Sequence, residues 1–511
     1  MRTKNAIYNV VFTWIGQFLL ILVTLVSRKI FLELLGAEYL GINSLFANIL
    51  SFLSMAELGI GGAITYSLYK PIAEDDVEQI KSLMQLYRKA YWLIGIFVML
   101  VGLILVPVLP HIITGGEGIK HLDLIYILFL VNTSVSYFFS YKSSFIIANQ
   151  KKYIFNINHY LWQFAMYAIQ IVILLRYKNY YVYLIIQIAV TLLENITIAK
   201  IVDKKYPFLK NKDVKPLQPE TVSEIKKNTS SMLLNRIGST LVNSTDNILI
   251  SWLVSVAAVG IYGNYSTIST AVGNILYQGL YAVVASVGNL SASKDKDRKE
   301  KVFKLIYMVV IWLYGWAGIG LFVMLTPFVQ IWYGADMLLG VFIIEIISLN
   351  LYIAGQTVLL NIHIDAMGLY WGVRFKGIVE AAINLIASVI LGKKYGLIGI
   401  LIGTLLSHVL YSFWKESSVV FRNGFGTTAN EYYGCFFKDT VAVMIALFLT
   451  VFLADCVTGD GIGAFGMKLI LAIVIPNLTF WIAFRKRPEF IELCNIFKKQ
   501  SESFIKKFKK A

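Results

Sequence analysis

The chain of 511 residues is 57% hydrophobic and only 15% charged, whereas a soluble globular domain carries roughly a quarter charged residues. These values imply a polytopic membrane protein with a dozen or more spans and exclude a separate soluble domain of any size. The net charge of +16 calls for no nucleic-acid partner, because the basic residues concentrate in a few connections and in the tail.

In chain order, the first segment, MRTKNAIYNVVFTWIGQFLLILVTLVSRKIF, pairs a basic end with an apolar run. The run is too long for a cleavable leader and lacks a small-residue cleavage site, so it reads as an uncleaved first span. Apolar runs long enough to cross a bilayer predict spans at 7–34, 42–67, 90–113, 123–147, 158–176, 180–201, 229–253, 258–289, 303–326, 340–366, 377–392, 396–414, 439–457 and 465–484. This even count of fourteen puts both termini on one side. Most of the 46 Lys and Arg residues fall on that same side, which the positive-inside bias makes the cytoplasm.

The connection from Asp203 to Asn228 contains Pro207, Pro216 and Pro219 and divides the first twelve spans six and six. The predicted organisation is an all-α protein with an N-terminal lobe at 1–202, a cytoplasmic linker at 203–228 and a second six-helix lobe at 229–414. Two further spans with their preceding loop occupy 415–484, and a basic cytoplasmic tail occupies 485–511. A faint internal repeat lays Ser27 to Phe46 on Thr245 to Tyr265 and sets Arg28 opposite Asp246. Such a repeat predicts two parallel, pseudo-symmetric bundles related by an axis along the membrane normal. In the tail, Ile491, Ile496, Phe497, Phe504, Ile505 and Phe508 recur at roughly helical spacing among lysines. Either a helix on the inner leaflet or a solvated tail satisfies that pattern.

Cys435, Cys456 and Cys494 are scattered without metal or redox spacing, and no cofactor motif is present. Ionisable residues inside the predicted spans carry more information, because a charge in hydrocarbon must pair, meet water or neutralise. They are Arg28, Lys29, Glu57, Lys142, Glu194, Arg236, Asp246, Glu345, Asp365 and Glu380. Lys142 and Asp365 lie near inner ends, where snorkelling to the interface suffices, and Lys29 can reach the outer interface. Arg236 falls roughly a quarter of the way in from the cytoplasm, and Arg28 and Asp246 fall in the outer part. Ion pairing between the first and seventh spans is the plain structural reading of these three. Trp162, Tyr167, Trp252, Tyr262, Tyr265, Tyr277 and Tyr281 suit either stacking on sugars or an interfacial belt.

The segments LLGAEYLGINSLFANILSFLSMAELGIGGAITYSLYKPIAEDD and NSTDNILISWLVSVAAVGIYGNYS resemble the polysaccharide-transport branch of the multidrug, oligosaccharidyl-lipid and polysaccharide exporter superfamily. The resemblance covers roughly residues 5 to 420, and the last two spans match its longer members. It implies the fold of multidrug-and-toxin extruders, two six-helix bundles around a central cavity with alternating access. It further implies a flippase that carries undecaprenyl-diphosphate-linked oligosaccharide repeat units to the outer leaflet of a bacterial plasma membrane, for capsule, O-antigen or exopolysaccharide. Implied partners are that glycan, membrane lipids, a coupling Na⁺ or H⁺, and the membrane proteins of polysaccharide assembly. Given such a cargo, Arg28 and Arg236 are candidate diphosphate ligands, since guanidinium forks bind phosphate oxygens bidentately. Asp246, Arg28, Glu57 and Glu194 are candidate gate or coupling residues.

Two other readings stay open. A cation-coupled drug antiporter of the same fold needs an acidic cavity, for which Asp246, Glu57 and Glu194 are available. A membrane polymerase or glycosyltransferase needs gathered acid, base or metal groups, and the short external loops show only His111 and His121, ten residues apart and suited to facing water.

Overall fold

A computed structural model describes residues 2–57, 60–210, 214–217, 240–241, 244–281, 283–291, 296–459, 461–496 and 498, with isolated positions between 219 and 229. It is built from helices, and each of the fourteen predicted spans coincides with helix among those residues. Nine helices there are long and apolar enough to cross a membrane. Their surfaces carry large apolar side chains such as Leu93, 68% exposed, and Phe448, 69% exposed, as expected of helices whose solvent is lipid. The protein is a multi-pass membrane protein.

Two compact units divide at Ile261. The first contains α1 (Arg2–Leu35), α2 (Ala37–Leu53), α3 (Ile60–Ala73), α4 (Val77–Leu105), α5 (Leu122–Ala148), α6 (Lys152–Tyr177), α7 (Tyr180–Lys205), α8 (244–253) and the start of α9 (Val256–Tyr281). Within it α1 packs on α6, α4 on α5, and α7 on both α5 and α6. Local chemistry sets the helix starts. The Asp76 carboxylate accepts from the Gln79 amide at 3.0 Å to cap α4, and Asn179 accepts from the amides of Tyr181 and Val182 to cap α7. Caps of this kind contribute about 1 kcal/mol each.

The second unit contains the rest of α9, α10 (Val284–Ser291), α11 (Lys296–Tyr333), α12 (Val341–Met367), α13 (Lys376–Tyr395), α14 (Leu397–Ser407), α15 (Phe413–Val419), α16 (Asn430–Asp455) and α17 (Ile462–Phe484). α11 packs on α12 and on both C-terminal helices, and α13 packs on α14. The α13–α14 pair is close because Gly399 and Gly403 have no side chain. A Cβ at Gly403 would lie 2.1 Å from Ser388 Oγ, and one at Gly399 would lie 2.1 Å from the Leu391 carbonyl oxygen.

Two predicted spans are not simple helices. The span at 42–67 breaks into α2, a 3₁₀ turn at Ser54–Glu57, and α3. The span at 396–414 runs on beyond its predicted end, through π-helical turns at His408–Ser412 and Val420–Phe425 that flank α15. Single π turns inside α-helices gather at functional sites.

The first part of the tail makes contacts with the helices before it. After α17 the chain turns, and Phe490 stacks on Trp312 with ring centroids 5.5 Å apart. Lys301 pairs with Glu492 at 2.8 Å, and Arg487 forms a two-pronged ion pair with the buried Asp439, with Nη1 donating at 2.8 Å. The tail is therefore docked on α11 and α16 here, while Phe504, Ile505 and Phe508 lie outside the described residues.

Candidate functional site

Arg28 lies near the end of α1, half-buried, and its guanidinium donates to the carbonyl oxygen of Gly260 in α9 at 3.2 Å. Around that bond the first unit is closed by unusually tight backbone contacts. A Cβ at Gly41 would lie 1.8 Å from the Val256 carbonyl oxygen, and one at Gly260 would lie 2.2 Å from that of Ala37. Only hydrogen fits at either position, so α2 and α9 meet backbone to backbone. The loop before α5 adds a short lock. The Thr114 amide donates to the Ser251 carbonyl at 3.2 Å, the Val256 amide donates to the Thr114 carbonyl at 2.9 Å, and Ser251 Oγ donates to the Ile112 carbonyl at 3.1 Å. These contacts are why the first unit extends to Ile261. Asp246, half-buried on α8, stands five residues before Ser251, about one and a half turns, on the same helix. Arg236 lies outside the described residues.

Glu57 sits in the 3₁₀ turn that interrupts its span, where a broken helix frees backbone groups and admits an ionisable side chain. The Tyr91 hydroxyl donates to Glu57 Oε1 at 2.7 Å. Beside it the Tyr87 hydroxyl donates to the Gly61 carbonyl at 3.0 Å and lies 3.0 Å from Ser144 Oγ, whose hydroxyl can donate to it. Glu194 on α7 faces α6, where His159 Nδ1 stands 2.7 Å from Oε1 and Gln163 Nε2 donates to Oε2 at 3.3 Å. The imidazole is stacked on Phe155. These are two carboxylates in two separate polar settings, one held by a phenol and one by an imidazole that can carry a proton.

The second unit holds a cluster that the sequence analysis did not assemble. Lys376 Nζ stands 2.5 Å from Glu416 Oε1 and 3.5 Å from Glu380 Oε2, and His408 Nδ1 stands 2.9 Å from Glu380 Oε1. Glu416 is fully buried and Glu380 nearly so. Glu416 Oε2 has no hydrogen-bond partner among the described residues. With a neutral imidazole the four groups sum to one negative charge, and a proton on His408 or on a carboxylate brings them to neutrality. The π turn at His408–Ser412 is what places His408 and Glu416, eight residues apart, against the one-turn pair Lys376 and Glu380.

Other predicted positions resolve more simply. Lys142 Nζ pairs with Asp203 Oδ2 at 2.6 Å. Asp365 accepts from the Tyr281 hydroxyl rather than reaching out alone. Lys29 pairs with Glu33 one turn on, at 3.9 Å. His111 and His121 are exposed. Tyr265 is buried, donating to the Met337 carbonyl and accepting from the Leu339 amide, so its ring is not offered to a sugar. Among the described residues, no three His, Cys, Asp or Glu side chains gather where they could hold a metal ion.

No protein-family model and no curated sequence matches the chain. Solved structures do. A lipid II flippase, MurJ, in an inward closed conformation superposes with a TM-score of 0.64 at 17% identity, over 93% of this chain and 99% of its own. The fold is that of the MurJ and MATE transporters. A multidrug resistance MATE transporter of the multidrug, oligosaccharidyl-lipid and polysaccharide superfamily, in an inward-facing conformation, matches with a TM-score of 0.61 at 14% identity, over 78% of this chain and 94% of its own. A transporter of the same superfamily from Pyrococcus furiosus, whose binding pocket has reversed polarity suggesting a different function, matches with a TM-score of 0.52 at 14% identity, over 83% and 97%.

Proposed function

We propose that the protein is a flippase for undecaprenyl-diphosphate-linked oligosaccharide repeat units, moving them from the inner to the outer leaflet by alternating access of its two lobes. The observation that carries this reading over the drug-antiporter one is the extent of the MurJ match. Its unmatched 7% of the 511 residues is about 36, fewer than the 49 that α16 (26 residues) and α17 (23 residues) hold together, so the match reaches into the C-terminal helix pair. The sequence resemblance and the basic residues at membrane depth, Arg28 and Arg236, support an anionic lipid-linked cargo. No bond is made or broken in such a cycle, so no catalytic residue is assigned.

In this reading Arg236 meets the diphosphate from the cytoplasmic side, and Arg28 meets it further out. The tight contacts of residues 37–41 and 112–114 with 251–260 form the closed outer gate. Diphosphate arriving at Arg28 competes with the gate contacts for the guanidinium, and only such a differential contact lets cargo shift the equilibrium. Asp246 is the gate's second charge, and Glu57 and Glu194 are sites for a coupling H⁺ or Na⁺. Single charge reversals at Arg28 and Asp246 are expected to abolish transport, and the double swap R28D/D246R to recover part of it. A double swap no better than either single variant removes the pair from the mechanism.

The function itself is tested by depletion. Loss of the protein is expected to accumulate undecaprenyl-diphosphate oligosaccharide protected on the inner leaflet, identified by mass spectrometry of extracted lipid. An unchanged lipid-linked glycan pool together with raised sensitivity to cationic drugs would favour the antiporter.

A further inference from the structure

We propose that a basic cleft of the first unit binds the phosphate head group of an anionic membrane lipid, independently of the cargo path. The cleft, about 390 Å³, is lined by Lys81, Gln85 and Arg88 of α4, Tyr141 and Lys142 of α5, and Lys210 from the 3₁₀ turn at 207–210. Its apolar lining is Met84, Leu209 and Val214, and among the described residues none of its lining is acidic. Two of its four cations are compensated from outside the cleft, Lys81 by Glu78 and Lys142 by Asp203, each at 2.6 Å. Arg88 and Lys210 make no ion pair among the described residues, and the one contact seen for the Arg88 guanidinium is with the Trp92 ring, 5.6 Å from its centroid. Two uncompensated cations, two shared ones and two neutral donors therefore converge on one space, which suits phosphate oxygens.

Two comparisons set this cleft apart. The larger cleft beside it is lined by Lys70 and Lys215 but also by Asp76 and Glu78, and the cleft at the head of α11 has Glu300 and Glu431 beside Lys304. Neither offers a field of one sign.

Position decides between lipid and soluble phosphate. The exposed stripe of α4 runs from Gln85, Arg88 and Lys89 through Trp92, Leu93, Ile96, Phe97 and Leu100 to Ile104. Large apolar side chains exposed along one helical stripe face acyl chains, and Trp marks the interface at its end. Arg88 lies one turn beyond Trp92, about 6 Å along the axis, where lipid phosphates lie. The cleft therefore opens onto the stripe at head-group level.

The test is native mass spectrometry of the purified full chain, titrated with dioleoylphosphatidylglycerol, dioleoylphosphatidylcholine, undecaprenyl diphosphate and sodium pyrophosphate. Phosphatidylglycerol is expected to be retained in preference to phosphatidylcholine and not to be displaced by pyrophosphate. R88Q/K210Q should weaken that retention about tenfold or more, while K393Q/K394Q, with the same change in charge, leaves it intact. Because Arg88 and Lys210 are exposed, the thermal unfolding of R88Q/K210Q should match that of the parent. Equal retention of phosphatidylcholine, equal losses in the two double variants, or displacement by pyrophosphate overturns the proposal. Preference for undecaprenyl diphosphate, lost in R88Q/K210Q, overturns it in favour of a cargo entry site. Failure of the flippase reading would show instead as absent leaflet transfer with phosphatidylglycerol binding unchanged.

Discussion

Replacing Lys376 by Met is expected to destabilise the second unit by about 3–5 kcal/mol, the cost of leaving a buried charge without its partner. Two carboxylates depend on that ammonium, and both are shielded from water, Glu416 at 0% exposure and Glu380 at 6%. Glu380 keeps His408 after the substitution, whereas among the described residues Glu416 keeps no cation within ion-pair distance. Glu416 must then take up a proton or draw water into the helix pair, and either costs free energy. Denaturation of K376M in mixed micelles should show this loss. K376M/E416Q should recover most of it, because removing both partners of a buried pair is far less damaging than removing one. A loss below about 1 kcal/mol in K376M would mean that the cluster is hydrated and not a buried ion pair.

Gly41→Val is expected to hold the gate apart. Its Cβ alone would overlap the Val256 carbonyl, at 1.8 Å, and that atom is backbone of α9 that no rotamer change can clear. Overpacking of this kind typically costs about 1–3 kcal/mol. Charged only to the closed state, it lowers the closed population relative to the open one by roughly 5- to 150-fold, at a factor of ten per 1.4 kcal/mol. A disulfide between cysteines at Thr114 and Ser251 reads that state, because the Thr114 amide already donates to the Ser251 carbonyl at 3.2 Å. The crosslink should form in the parent and fall steeply with Gly41→Val, with transport falling alongside. An unchanged crosslink yield would show that α2 and α9 accommodate the side chain without opening.

The helical class was legible because apolar runs of spanning length are a strong signal, and among the described residues those runs fall in helix. Breaks inside runs were not. Ser54, Glu57, Gly59, Gly61 and Gly62 permit a bend in this run, but none of them fixes where the helix breaks. The Lys376 cluster was missed for a different reason. Lys376 opens α13, where it looks like a topology lysine, and Glu416 falls just past the predicted end of its span at 414. The π turn carries the helix on to Phe425, and only then do His408 and Glu416 share a face at eight-residue spacing. That spacing, beside the one-turn pair Lys376 and Glu380, is the signal by which the cluster could have been found. His159, at the start of its span, was not singled out from the sequence, yet it faces Glu194 across α6 and α7. Arg28 was singled out by its cost in hydrocarbon, and its bond to Gly260 shows how that cost is met in this state.

Transfer between leaflets in proteoliposomes tests the central claim most directly. Purified protein should move a fluorescent undecaprenyl-diphosphate oligosaccharide from the protected leaflet to one accessible to a membrane-impermeant quencher, and Arg28→Ala should abolish the transfer. Uptake of cationic dyes with no movement of the lipid, in the same vesicles, would contradict the account and assign the fold to drug export here.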